Sequence, residues 1–256
     1  MSISKSDVRE GDVLLLMESG IGPALIALLD DGIYSHSAYF NGTDVVGCVR
    51  VGLVSQSLDE VLADTDWMYI DIYRFVDGKG GEMGSPDLPA APVSAVCNAY
   101  VKEGVSYATN DLYFYWVLIL LHNLPETAEG RKKVWFLINA VILLLEEADP
   151  KLHTGMICSE FVANVFLKAE PFAKYTLQIA DSYQIPGPPD KEFEPVYEVI
   201  REALEKIAPD VLRKIDAVRE GGISAVVPAL VTPDNLRKSP SLTFVGRLKG
   251  DGAPPA

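Results

Sequence analysis

The chain has 256 residues, enough for one core at the upper edge of single-domain size or for two small ones. Its 22 Lys and Arg stand against 36 Asp and Glu, a net charge of −14, which argues against broad binding to nucleic acid or anionic lipid. Apolar residues make up 48%, which excludes global disorder, and the three cysteines (Cys48, Cys97 and Cys158) are too few and too scattered for a disulfide scaffold.

The first twenty residues do not read as a signal peptide. Their apolar run is only Val13 to Met17, with Glu10 and Asp12 just before it. The expectation is a chain that is cytoplasmic as synthesised, with delivery by a signal-independent secretion system left open. Residues 12–17 (DVLLLM) predict a short buried strand. Ile21 to Leu29 reads as a short helix stopped by Asp30-Asp31-Gly32. Ser37 to Phe40 predicts a strand, Asn41-Gly42 a hairpin turn, and Asp44 to Val51 a second extended run. Ser57 opens a helix in SLDEVLAD, with Glu60 as its capping-box partner. Trp67 to Val76, rich in aromatic and β-branched residues, predicts the clearest strand.

Residues 77–92 read as a Gly- and Pro-rich loop, Val93 to Lys102 as a helix, and Gly104 to Asn110 as a turn. Two apolar runs follow, VLILL (117–121) and WFLINAVILLL (135–145), separated by HNLPETAEGRKK. Neither approaches the ~20 apolar residues that span a bilayer. An apolar helical insertion over about 112–148 is expected, either a buried hairpin or a cap making peripheral lipid or acyl contact through 112–145. Met156 to Ala169 reads as a helix, 184–192 as a linker, and Val196 to Ile207 as an amphipathic helix with its apolar residues at helical spacing. Another helix is expected over 211–219 and an extended return over 223–232. The tail GDGAPPA, from about 250, reads as disordered. Strands early and helices late point to an α+β fold.

Cys158 carries the sharpest chemical signal. In GMICSEFVANVFLKA it shares the face of the stripe Phe161, Val162, Val165, Phe166 and Ala169, at the start of the predicted helix. Unpaired N–H groups and the helix dipole there favour a thiolate, and the same N–H groups suit a developing oxyanion. The alternative is an ordinary buried cysteine. A cysteine nucleophile needs a base. His36, at the mouth of the YSHSAYFNG strand, is the first candidate; His153 is its rival, and His122 reads as a local cap. No Cys or His pair has zinc-ligand spacing, so no metal and no cofactor are expected.

The order GDVLL, SHSAYF, a strand ending in YR, GVSY, ICSEFV, then TPDNL and SPSL resembles the circularly permuted papain-like cysteine hydrolases of the NlpC-type superfamily, in particular the YiiX-like branch. Lecithin retinol acyltransferase-like enzymes are among the relatives. The resemblance covers residues 10–170 and extends to 228–245. It implies a permuted papain-like α+β fold, a small antiparallel sheet packed against the helix that bears the nucleophile, with residues 1–185 as the catalytic domain. Residues 186–256 would be a helical extension packing back on it. It also implies Cys158 as nucleophile and His36 as general base, working through an acyl-thioester.

The family usually orients the imidazole with a polar residue, often glutamate, on the next strand. Here Gly47 or Cys48 falls at that place. Asp44 and Asp71 are the candidates to replace it, beside a backbone carbonyl or a water. Tyr34 and Tyr107 flank the motif loops as pocket or packing aromatics, and Glu160 complements the helix dipole. The expected activity is amide hydrolysis on a peptide, a peptidoglycan (cell-wall) fragment or an acylated amine, without nucleic-acid partners. The alternatives are a lipid-directed acyltransferase or lipid hydrolase using the same cysteine, and an inactive binding module on this fold. The sequence does not give the oligomeric state.

Overall fold

The computed structural model describes residues 1–20, 23–24, 26–27, 30, 32–49, 51–106, 156–171, 174–179, 202, 205, 228 and 231–250. Among these, six strands form one antiparallel sheet. They are β1 (Val13–Glu18), β2 (His36–Phe40), β3 (Asp44–Val49), β4 (Gly52–Ser57), β5 (Trp67–Phe75) and β6 (Leu242–Lys249), in spatial order β4-β3-β2-β1-β5-β6. Helices α1 (Leu58–Ala63), α2 (Ala91–Glu103), α3 (Cys158–Leu167) and α4 (Pro233–Arg237), with a one-turn 3-10 helix at Lys5–Asp7, complete the described elements. The mixture of helices with an antiparallel sheet is the α+β class the element order predicts.

β1 lies in the middle of the sheet with both of its faces covered, which is why its side chains form an unbroken apolar run. Val13, Leu14 and Leu15 are wholly buried and Leu16 nearly so. Val13 and Leu15 join Tyr39, Val46, Cys48, Tyr73 and Phe75 under α2 and α3. Leu14 and Leu16 join Ala38, Phe40, Val45, Ile70 and Ile72 on the other face, under Val61 of α1. The apolar stripe of α3 packs on the first face: Phe161, Val162, Val165 and Phe166 are fully buried. Phe166 stacks on Phe75 at 5.3 Å and meets Tyr39 edge-on at 6.1 Å. Burying each such ring is worth about 1.5–3 kcal/mol, so α3 is fixed to the sheet by its sequence pattern.

Several elements depart from the sequence expectations. The extended run expected to end at Val51 reverses after Val49 and pairs back from Gly52 as β4, which runs into the Ser57 cap of α1. Gly52 makes that reversal with φ +111°, and a Cβ there would meet the Val105 carbonyl at 3.0 Å. The pair around the turn is not one of the strong hairpin signals, so periodicity alone read through it. Residues 242–249, assigned from sequence to a helical extension beyond 186, are strand β6, paired with β5. Just before them Thr232 caps α4, its Oγ1 accepting from Asn235 N–H at 2.8 Å. In the stretch expected to return as a strand over 223–232, Val231 and Thr232 are irregular coil. The apolar insertion at 112–148, Tyr107, and nearly all of the 184–230 segment lie outside the described residues, as does most of the short helix expected over 21–29. Among the described residues no helix is long and apolar enough to cross a membrane.

Candidate active site

His36 is the first residue of β2 and Cys158 the first of α3. Alternation places His36 with Ala38 and Leu16 on the sheet face away from α3, whereas Ser37 and Tyr39 face α3. The two residues meet beside the end of the β2–β3 ladder. Their ladder runs from Phe40–Val45 to Ala38–Gly47 and goes no further, although β2 continues to His36 on β1 and β3 continues to Val49 on β4.

The segment entering α3 is tied to β3 beyond the end of that ladder. The Cys48 thiol donates to the Met156 carbonyl at 2.9 Å, and Met156 N–H donates to the Ser106 carbonyl at 3.1 Å. One turn on, Ser159 Oγ donates to the Val231 carbonyl at 2.6 Å. Phe161 N–H makes the first helical bond, to the Ile157 carbonyl, so the N–H groups of residues 158–160 head the helix without intrahelical acceptors. Glu160 turns back to accept from Ile157 N–H at 3.4 Å, the first-turn charge expected of it.

Cys158 is 8% exposed. Burial pushes its thiol up. The His36 imidazole beside it, through charge and a hydrogen bond, pulls the other way, as do the Ser37 backbone and hydroxyl. The net is a thiol held below its ordinary value. The other two cysteines behave in the opposite way. Burial pushes both Cys48 and Cys97 up to about 12, and the neighbouring Cys158 and Glu160 add to the effect at Cys48. The three thiols therefore differ in surroundings: at Cys158, at the head of a helix, neighbouring groups outweigh burial, and at Cys48 and Cys97 burial dominates.

Ser37 was not singled out by the sequence. It is wholly buried, and among the described residues its hydroxyl has no partner of ordinary hydrogen-bond geometry, so it adds its dipole to the same sulfur. Trp67, the first residue of β5, also escaped notice. Its ring stacks on the His36 imidazole with centroids 5.5 Å apart and planes inclined by 28°. The only sequence signal for either was adjacency: Ser37 lies inside the histidine motif, and Trp67 opens the most aromatic strand.

The candidates for the third polar residue do not join the pair. Asp71 is wholly buried, and both its oxygens are engaged: Arg247 donates from Nε at 2.7 Å and from Nη2 at 2.8 Å, and Tyr34 donates its hydroxyl at 2.6 Å. Asp44, near the opposite end of the β2–β3 ladder, accepts from Ser55 Oγ at 2.7 Å. Tyr34 is fully buried, its hydroxyl held between Asp71 and Tyr73, so it packs rather than lining an open pocket. Gly47 occupies the β3 position beside the imidazole: a Cβ there would stand 3.1 Å from His36 Nε2 and 3.3 Å from Ala38 Cβ. Among the described residues no cluster of three or more His, Cys, Asp or Glu side chains is placed to hold a metal ion.

No protein-family model and no curated protein matches the chain. Among solved structures it is similar to the crystal structure of metalloprotein yiiX from Escherichia coli O157:H7, with 14% identity over 94% of this chain and 98% of that one and a TM-score of 0.45.

Proposed function

We propose that this chain is a cysteine-dependent amide hydrolase of the circularly permuted papain-like type, with Cys158 as nucleophile and His36 as general base and acid. The observation that carries the reading is the contrast among the thiols: only Cys158 is held below its ordinary value, and His36 is the first of the groups that hold it there. The chain order supports it, since the histidine strand precedes the cysteine helix.

In the proposed reaction the Cys158 thiolate attacks the carbonyl carbon of an amide in a peptide, a cell-wall fragment or an acylated amine. The C–N bond breaks, and the imidazolium of His36 gives its proton to the departing amine, leaving an acyl-thioester. Water then attacks that carbonyl while His36 takes its proton, the C–S bond breaks, and the carboxylic acid leaves. The N–H groups heading α3 are the donors available to the oxyanion formed at each addition. Met156, Ser159 and their carbonyl and thiol partners keep the helix start in one position, which is the preorganisation this chemistry needs.

The test is acyl trapping. The protein is incubated with an activated aryl ester, and the adduct is located by peptide mass. The expected result is a transient acyl group on Cys158 alone, lost in Cys158→Ala and persisting far longer in His36→Ala, which lacks the base for deacylation. Acylation spread over lysines, or equal in Cys158→Ala, would contradict the proposal.

A further inference from the structure

The imidazole of His36 is held by an arrangement that contains no hydrogen-bonding orienting residue among the described side chains. β3 offers it Gly47, and the 3.1 Å between a Cβ built there and His36 Nε2 shows that even a methyl would crowd the ring. Asp44 and Asp71 are engaged elsewhere. What remains is Trp67, whose indole lies almost parallel to the imidazole at 5.5 Å. Both rings are half-buried. Trp67 is itself fixed by its register opposite Glu18, beyond the irregularity at Met17/Glu18 that turns the end of β5 relative to β1.

We propose that Trp67 is the positioning residue of the Cys158–His36 pair, its stacked ring doing what a polar side chain on β3 would otherwise do. This inference rests on the cysteine-hydrolase reading above. A stacked indole does two things. It restricts the imidazole to one plane, which keeps a ring nitrogen directed at the Cys158 sulfur. Its electron-rich face also favours the ring when it carries charge, and therefore favours the imidazolium–thiolate form of the pair. A neutral hydrogen-bond acceptor at position 47 would do the first only through a side chain for which there is no room. Gly47 and Trp67 thus belong to one solution: the bare backbone on one side lets the ring lie against the indole on the other.

Cys158 on α3 is the titratable group that meets the imidazole. Several other ionisable groups on the surrounding strands and on α3 have partners of their own. Asp44 on β3 has Ser55, Asp71 on β5 has Arg247 and Tyr34, Arg74 has Asp12 and Glu82, Cys48 has the Met156 carbonyl, and Glu160 has Ile157 N–H. Glu18 on β1 pairs in register with Trp67.

The experiment is the pH profile of iodoacetamide alkylation at Cys158, for the full chain carrying Trp67→Leu, Trp67→Phe or Gly47→Ala. At pH 6.5 Trp67→Leu is expected to slow labelling about two- to fivefold, the range for losing an aromatic face under a cation. Trp67→Phe should recover most of the loss, and all rates should converge at high pH, above the onset of labelling in every variant. Gly47→Ala, which pushes the ring off its seat from the other side, should reproduce the low-pH loss and keeps the inference testable if Trp67→Leu does not fold. A wild-type profile in Trp67→Leu would overturn the inference, as would an equal loss at every pH or a loss in Trp67→Phe as large as in Trp67→Leu. If wild-type Cys158 labels no faster than Cys48 and Cys97, the underlying Cys–His reading fails too, and that outcome is distinct from the others.

Discussion

At the scale of single residues, the site is a set of small choices around one sulfur. Cys158 suffers the desolvation that keeps Cys48 and Cys97 protonated, yet its thiol lies below the ordinary value because His36 and Ser37 face it. Ser37 separates stability from function. Its buried hydroxyl has no proper partner among the described residues, so the folded state bears the cost of desolvating it. Ser37→Ala is therefore expected to leave the unfolding midpoint unchanged or slightly raised. The same change should move the onset of Cys158 alkylation upward, by less than about one pH unit, because the hydroxyl dipole no longer faces the sulfur. Thermal melts and the alkylation profile check the two halves separately. A large loss of stability with no change in onset would show the hydroxyl to be a packing group alone.

At the scale of elements, the sheet is extended and braced by a late strand. β6 pairs along β5, and Arg247 on β6 grips Asp71 on β5 through two hydrogen bonds, both groups almost fully buried. The guanidinium also lies over the Tyr69 ring at 4.4 Å. Removing one partner of such a pair strands a buried charge, which costs about 3–5 kcal/mol. Arg247→Met is expected to lower stability by that amount in urea unfolding, and Arg247→Met with Asp71→Asn to restore much of it. A single-variant loss under about 1 kcal/mol would contradict this account of the strand edge. The elements also show where sequence reading succeeds. β1, β2, β5 and α1 were legible because each carries a strong local signal: an apolar run, a motif before Asn-Gly, an aromatic strand, a capping box. β4 and β6 were not. β4 depends on Gly52 entering a positive φ at a turn without a recognised turn pair. LTFVGRLK acquires its role only from β5, a partner far away in the chain.

At the scale of the whole molecule, the fold brings together residues that local reasoning places apart. Sequence identified Cys158 and His36 by type and position and put each on the right kind of element. It did not reveal that alternation sends His36 to the far face of the sheet, nor that the β2–β3 ladder ends at Ala38–Gly47, just short of His36. It offered two carboxylates for the orienting role, beside a backbone carbonyl or a water, and the two carboxylates serve the sheet: Asp71 ties β5 to β6, and Asp44 ties β3 to β4. Such assignments depend on which partner each acid meets in the folded sheet, and spacing along the chain does not encode that.

The central claim is an activated thiol made by this convergence, and one measurement addresses it most directly: the rate of iodoacetamide alkylation against pH, mapped by peptide mass, in the native protein and in His36→Ala. The account predicts that Cys158 labels well below pH 8, while Cys48 and Cys97, held near 12, stay unlabelled in the folded protein. It also predicts the sign of the substitution. Without the imidazole the burial effect is opposed only by Ser37, so the onset in His36→Ala moves to higher pH. Cys158 labelling no faster than the other two, or an onset in His36→Ala identical to that of the native protein, would contradict the claim.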